Sequence, residues 1–215
     1  YGTTLSFFTT VNTAKDMDVI REALGDATVS YIGASYGTFL GAVYANLFPK
    51  RVRAFVLDGA FDATKDDPVI AKETQLVGFE KAFDNWATAC QNDVSCPFHD
   101  ADVGARWDRL VKKSEDTPEP ATDGRLANDI VIRMGTKEAL YSRDLWSVLD
   151  QALADADAGK PDAILALADE YGQRTAKNDW SNLLQAFPVI TCASGLMPAL
   201  PADPAAAVAK LTVEA

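Results

Sequence analysis

The sequence predicts an α/β chain, with part of a parallel sheet followed by a mostly helical region. Three observations carry this. An uncharged, β-rich stretch, Thr28-Val29-Ser30-Tyr31-Ile32-Gly33, precedes a helix-patterned segment from about Tyr36 to Phe48, and a second strand-like stretch, Arg53-Ala54-Phe55-Val56-Leu57-Asp58, follows it. Strand, helix and strand over about 30 residues make a βαβ unit, which implies a parallel sheet and a right-handed crossover. Beyond Asp62 the apolar residues recur at helical spacing instead.

Each element has its own signal. Lys15 to Leu24 places Met17, Ile20, Ala23 and Leu24 at helical spacing, and Gly25 suits a C-terminal cap with positive φ. The uncharged strand that follows is of the kind covered on both faces by helices. The next helix must end at Pro49-Lys50, and the second strand is stopped by Gly59. Further on, Phe79, Phe83, Trp86 and Cys90 form one helical stripe, and Leu145, Val148, Leu149, Ala152, Leu153 and Ala156 form another. Both stripes are read as packing surfaces. Ser142 can cap the second helix, Gly159 can end it and Pro161 can open the next. The stretch from Thr117 to Gly124 is rich in turn formers.

Composition excludes several classes. Of the 215 residues 48% are hydrophobic, 9% are aromatic and 24% are charged, which supports a packed core and argues against disorder. Thirteen Gly and 3 Cys exclude a collagen and a disulfide-dense scaffold. The net charge of -11 would repel phosphate backbones, so no nucleic-acid partner is expected. Only 5 basic and 6 acidic side chains occur up to Asp62, leaving 15 and 25 beyond it. A boundary near residues 60 to 68, ending at Asp66-Asp67-Pro68, follows from that shift and divides the chain into 1–62 and 63–215. Only the Ala/Pro-rich tail from Pro198 to Ala209 approaches low complexity.

The run from Ala27 through Pro49 carries no charge and is long enough to cross roughly 30 Å of hydrocarbon as a helix. It contains Gly33, Gly37, Gly41 and five small polar residues, and its pattern changes midway, so it reads as buried strand and helix. No transmembrane segment is expected, and the first residues show no signal peptide.

Between that strand and that helix stands Gly33-Ala34-Ser35-Tyr36-Gly37, a Gly-x-Ser-x-Gly. The motif demands a sharp strand-to-helix turn with a strained Ser backbone, and glycines two residues to either side remove Cβ atoms that would strike neighbouring backbone. A Ser held at a helix N-terminus has the positive end of the helix dipole beside it. Ser35 is therefore the candidate nucleophile and the Tyr36 backbone N–H a candidate oxyanion donor. The alternative is that Ser35 merely caps the helix and the glycines serve close packing. Gly41 reads as a close helix-to-sheet contact.

With these residues in place the sequence resembles the secreted actinobacterial tripeptidyl aminopeptidases, which belong with the prolyl-aminopeptidase-like α/β-hydrolases. The resemblance rests on Arg21-Glu22-Ala23-Leu24-Gly25, Tyr31-Ile32-Gly33-Ala34-Ser35-Tyr36-Gly37-Thr38, Tyr44-Ala45-Asn46-Leu47-Phe48-Pro49 and Val56-Leu57-Asp58-Gly59, and more weakly on Ala139-Leu140-Tyr141, Trp146 and Ile190-Thr191-Cys192. It implies that residues 1–62 are a partial α/β-hydrolase core with its nucleophile elbow, and that residues 63–215 are a mostly helical cap region. It also implies a serine exopeptidase that releases short N-terminal peptides through an acyl-enzyme. The residues alone support only a serine hydrolase, and an esterase or acyl transferase of the same fold, or a non-catalytic fragment, remain as alternatives.

A triad also needs an acid and a base, in the order Ser, acid, His. His99 is the one histidine, and it stands beside Cys96-Pro97-Phe98 in the helical part, where a surface or cap role is expected. Asp58 with His99 satisfies the order formally, but Asp58 is read as structural, because the family carries its acid after a later strand. The triad acid and base are thus expected outside these residues, on a missing segment or a second chain.

Cys90 and Cys96 are spaced to close a small loop, and such a bridge points to an oxidising, extracytoplasmic compartment, secreted or in the cell envelope. Cys192 is left over, as an unpaired buried thiol or, by the resemblance, as the partner of a cysteine beyond Ala215. The spacing does not fit zinc, and no metal or cofactor is expected. The expected partner is a peptide or ester substrate, whose free amino terminus an acidic cap would attract.

Overall fold

A computed structural model describes residues 2–60, 62, 68–174 and 179–196. A 3-10 turn, Gly2–Phe7, leads into α1 (Thr10–Ala23), β1 (Val29–Ala34) and α2 (Tyr36–Leu47). A second 3-10 turn, Pro49–Arg51, precedes β2 (Val52–Asp58). Then come α3 (Pro68–Asn92), α4 (Val103–Asp116), the two-residue strands β3 (Glu119–Pro120) and β4 (Leu126–Ala127), and α5 (Asp129–Leu140). A 3-10 turn at Arg143–Leu145 opens α6 (Trp146–Asp157), followed by α7 (Asp162–Tyr171) and α8 (Leu183–Ala193). The chain divides into two compact units, Tyr1–Glu73 with Gln185–Ala215, and Thr74–Leu184. The expected junction residues Asp66 and Asp67 and the Pro198 to Ala209 tail lie outside the described residues.

In the first unit β1 and β2 pair in parallel, with Ser30 opposite Ala54 and Ala34 opposite Asp58. The uncharged run Ala27 to Pro49 is therefore β1 and α2. Among the described residues no helix is long and apolar enough to cross a membrane. α2 lies against both strands, and α1 lies against α2. The centre of this packing is Tyr44, fully buried, with its ring 5.2 Å from Phe48 and 5.7 Å from Phe55. Gly41 makes the close helix-to-sheet approach, since a Cβ there would stand 2.7 Å from both Leu57 and Tyr31.

Two expectations are corrected here. Among the described residues β1 is covered on one face only: Gly33 is buried on the side of α2, while Ile32 on the opposite side is 79% exposed. A pleat sends alternate side chains to opposite faces, and α2 covers one of them. α1 begins at Thr10 rather than Lys15, because Thr9 accepts a capping hydrogen bond from the Asn12 N–H at 3.1 Å. Its apolar stripe is not its packing face. Ile20 is 59% and Leu24 72% exposed, whereas Thr10, Ala14 and Asp18 are buried.

Asp18 explains how a polar face packs. Its carboxylate accepts from the Tyr44 hydroxyl at 3.1 Å, from Arg21 Nε at 2.9 Å and from Arg51. α1, α2 and the turn before β2 thus meet on one buried, fully engaged anion. Gly25, with φ of 77°, ends the region of α1 as expected.

The second unit is helical around Trp86, Phe98, Leu110, Ile132, Leu149 and Ile164, all buried. The Cys90–Cys96 disulfide, with Cα atoms 5.3 Å apart, joins this core directly. α5 packs tightly on α7, and a Cβ on Gly135 would come 2.6 Å from the Ile164 carbonyl oxygen. Leu149, Ala152, Leu153 and Ala156 are buried as their spacing predicts, but Val148 is exposed. Ser142 Oγ accepts from the Asp144 N–H at 3.3 Å, Gly159 has φ of 79°, and Pro161 directly precedes α7. The turn-rich stretch becomes the antiparallel hairpin of β3 and β4, with Gly124 at positive φ.

Candidate active site

The strand-to-helix junction from β1 to α2 is tighter than a helix cap requires. Ser35 has φ of 51° and ψ of -120°, in the left-handed half of backbone space, where a residue with a Cβ pays about 1–3 kcal/mol. Its side chain is exposed and makes no capping bond to α2. The strained turn thus leaves the Ser35 side chain exposed and uncommitted to the helix end.

The surroundings hold that turn from three directions. The Ser35 N–H donates to the Asp58 carbonyl at 2.9 Å, extending the β1–β2 pairing one residue past the strand. The Ser35 carbonyl accepts twice from Thr38, from its N–H at 2.9 Å and from its Oγ1 at 2.7 Å. Tyr31 Oη donates to the Gly37 carbonyl at 2.7 Å. Burial first, and the neighbouring Tyr36 phenol second, hold the Tyr31 hydroxyl above its ordinary pKa of 10.0, so it stays a donor well into alkaline solution.

The glycines follow from this closeness. A Cβ on Gly33 would stand 2.5 Å from the Gly37 carbonyl oxygen, and one on Gly37 would stand 3.1 Å from Tyr31 Oη. Only the first meets backbone; the second meets the phenol that braces the turn.

The Ser35–Tyr36 peptide is planar, so its N–H points opposite to its C=O. Thr38 holds that carbonyl toward the body of α2, which turns the Tyr36 N–H away from the helix, at its positive end. An exposed hydroxyl beside an outward N–H is the arrangement that can attack a carbonyl and hold the resulting oxyanion.

The other residues singled out from sequence have definite places. Asp58 contributes its backbone carbonyl to the turn. His99 belongs to the second unit, where its Nδ1 lies 3.2 Å from the Cys90 carbonyl oxygen; a carbonyl only accepts, so Nδ1 carries the proton. Cys192 is exposed on α8, which corrects the reading of a buried thiol. The sulfurs of Cys90 and Cys96 and a carboxylate oxygen of Asp150 lie within 4.8 Å of one another, but sulfurs bonded to each other are not thiolate ligands.

Sequence reasoning did not find Tyr31, Thr10 or Ser194. Thr10 Oγ1 is 2.6 Å from the Tyr36 hydroxyl and 2.8 Å from Ser194 Oγ. The Thr9-Thr10 pair is an N-cap signal that marks the start of α1, but nothing in the chain order links position 10 to position 194.

The sequence has relatives among known proteins. Residues 2–183 match the α/β-hydrolase fold family, and the chain belongs to that family. It is similar to the serine protease Hip1 of Mycobacterium tuberculosis, with 38% identity over 199 residues covering 85% of this chain and 37% of that protein. Carboxylesterase B of the same species is 37% identical over 203 residues, covering 93% of this chain and 38% of its own length. The tripeptidyl aminopeptidase of Streptomyces lividans is 32% identical over 186 residues, 82% of this chain and 34% of that enzyme. The chain thus spans little more than a third of the length of these relatives.

Proposed function

We propose that the protein containing this chain is a serine hydrolase in which Ser35 is the nucleophile, the Tyr36 N–H is one oxyanion donor, and Gly33 and Gly37 make room for the elbow. The observation that carries this reading is the strained, uncapped Ser35 at the β1–α2 junction. Ser35 Oγ attacks the substrate carbonyl as its proton passes to a general base. The tetrahedral oxyanion collapses to an acyl-enzyme, the base returns the proton to the leaving group, and water releases the acyl product. The base and the acid come from sequence outside these residues, a reading supported by the share of the relatives' length that the chain spans. Residues 1–62 serve as part of the catalytic core and residues 63–215 as the cap region.

The substrate is a peptide cleaved near its free amino terminus, as the similarity to a tripeptidyl aminopeptidase and a serine protease supports. The acid excess beyond Asp62 is suited to attract that ammonium. The Cys90–Cys96 bridge supports an extracytoplasmic location, secreted or in the cell envelope. Similarity to a carboxylesterase favours a second reading, an esterase of the same fold.

The test uses the full-length protein. A fluorophosphonate probe labels it, and Ser35→Ala abolishes labelling; labelling that survives Ser35→Ala removes the nucleophile. Hydrolysis of tripeptide anilides against short acyl esters separates the two substrate readings. Activity retained by His99→Ala is expected, because the base lies elsewhere.

A further inference from the structure

Tyr36 is fixed at both ends. Its backbone follows the strained Ser35, and its phenol is hydrogen-bonded at 2.6 Å to Thr10 Oγ1, a side chain of the 1% exposed Thr10 on α1. Thr10 is bound again on its other side: Oγ1 donates to Ser194 Oγ at 2.8 Å, and the Thr10 N–H donates to the same oxygen at 2.9 Å.

A hydroxyl has one proton. Because Thr10 gives its proton to Ser194, the Tyr36 phenol must be the donor to Thr10. The result is a directed chain, Tyr36 O–H to Thr10 Oγ1, and Thr10 O–H to Ser194 Oγ. Its middle member is buried and every bond it makes is satisfied, so its geometry has little freedom. The Thr10 N–H is also one of the unpaired donors in the first turn of α1, and Ser194 supplies its acceptor.

We propose that Thr10 is a positioning residue for the oxyanion donor, holding Tyr36, and with it the peptide N–H at the start of α2, against α1 and the C-terminal end of α8. This rests on the reading of Ser35 as nucleophile. Thr38 fixes the Ser35–Tyr36 peptide from its carbonyl side, and Thr10 fixes it through the Tyr36 side chain. Small misplacement of a donor is felt in the transition state more than in substrate binding, because the full oxyanion exists only there.

The experiment compares Thr10→Val, Thr10→Ser, Tyr36→Phe and Ser194→Ala in the full-length protein, by fluorophosphonate labelling rate and by kcat and KM on a tripeptide anilide. Thr10→Val keeps the shape and loses the hydroxyl; kcat and labelling rate should fall roughly 10- to 100-fold with KM nearly unchanged. Thr10→Ser should restore most of the loss. Tyr36→Phe should cost a similar factor, and the double variant little more than either single one, since both cut the same bond. Ser194→Ala should lower kcat less. If Thr10→Val fails to fold, Tyr36→Phe reads the same bond from the side chain outside α1. Folded variants that label and turn over at the parental rate overturn the positioning role, even with a lowered Tm. That failure is distinct from failure of the nucleophile, which shows as labelling of Ser35→Ala.

Discussion

The Tyr31 hydroxyl donates a 2.7 Å hydrogen bond to the carbonyl oxygen of Gly37, joining β1 to the first turn of α2 across the residue that carries the exposed hydroxyl. The same carbonyl lies 2.5 Å from where a Gly33 Cβ would be. One brace therefore sets how closely strand and helix approach, and the absence of a side chain at Gly33 permits it.

Gly33→Ala tests that closeness. The new methyl meets backbone, which cannot rotate away, so the turn must open. Stability should drop by about 1–3 kcal/mol in urea unfolding, and Ser35 labelling should be lost along with it. Tyr31→Phe is milder, at about 1 kcal/mol for the lost hydrogen bond. Parental stability in the Gly33→Ala variant would show that the approach is not tight.

Asp18→Asn keeps the shape of the buried anion and removes its charge. Arg21, with a side chain only 9% exposed, then loses its counter-charge, and we expect a loss of about 3 kcal/mol in the urea midpoint converted to free energy. By contrast, replacing Lys112, which pairs with Glu115 and Asp116 on the open surface of α4, should leave the midpoint where it was. Equal effects at the two sites would contradict the buried role of Asp18.

Reduction of Cys90–Cys96 should destabilise the second unit. The bridge closes a short loop, a sequence separation of 6, for which chain entropy predicts about 2 kcal/mol. A thermal melt with and without dithiothreitol reads this as a Tm lowered by several degrees. An unchanged Tm, with reduction verified by thiol titration, would mean that the surrounding core carries the loop unaided.

Asp150 gives a pH-dependent prediction. Burial, chiefly, raises its carboxyl above the ordinary 3.8; the Trp86 indole N–H, 2.8 Å away, works against that rise, and Asp93 adds to it. The folded state thus favours the protonated acid, so the group's contribution is full below 3.8 and is lost as pH rises through the folded pKa. Asp150→Asn keeps an acceptor for Trp86 without the charge. It should raise the urea midpoint at pH 7 and make no difference at pH 3.5. A variant less stable at pH 7 would reverse the sign and show that the carboxylate is favoured.

Much of the first unit is legible because its signals are local. Val29–Ala34, Tyr36–Leu47 and Val52–Asp58 fall within a residue or so of where β-branched enrichment, Gly-x-Ser-x-Gly and Pro49 put them. The first five residues of α1 carry no apolar period, so the helix start was marked only by its capping threonine. The β3–β4 hairpin reads from sequence as turn alone, since strands of two residues, one of them containing Pro120, are too short to show an alternating pattern.

The elbow was readable from residue order, because a strained serine between a strand and a helix depends on glycines at fixed short offsets, and local sterics enforce that wherever the chain goes. Which face of α1 is buried was not, and long-range packing settled it. Met17, Ile20 and Leu24 make the more apolar stripe, yet three donors converging on Asp18 and the bonds of Thr10 turn the polar face inward, a choice that depends on residues from Tyr36 to Ser194. Hydrogen bonds that span 26 and 184 residues leave no period in a sequence, and they exist only once the chain has brought their donors and acceptors within reach.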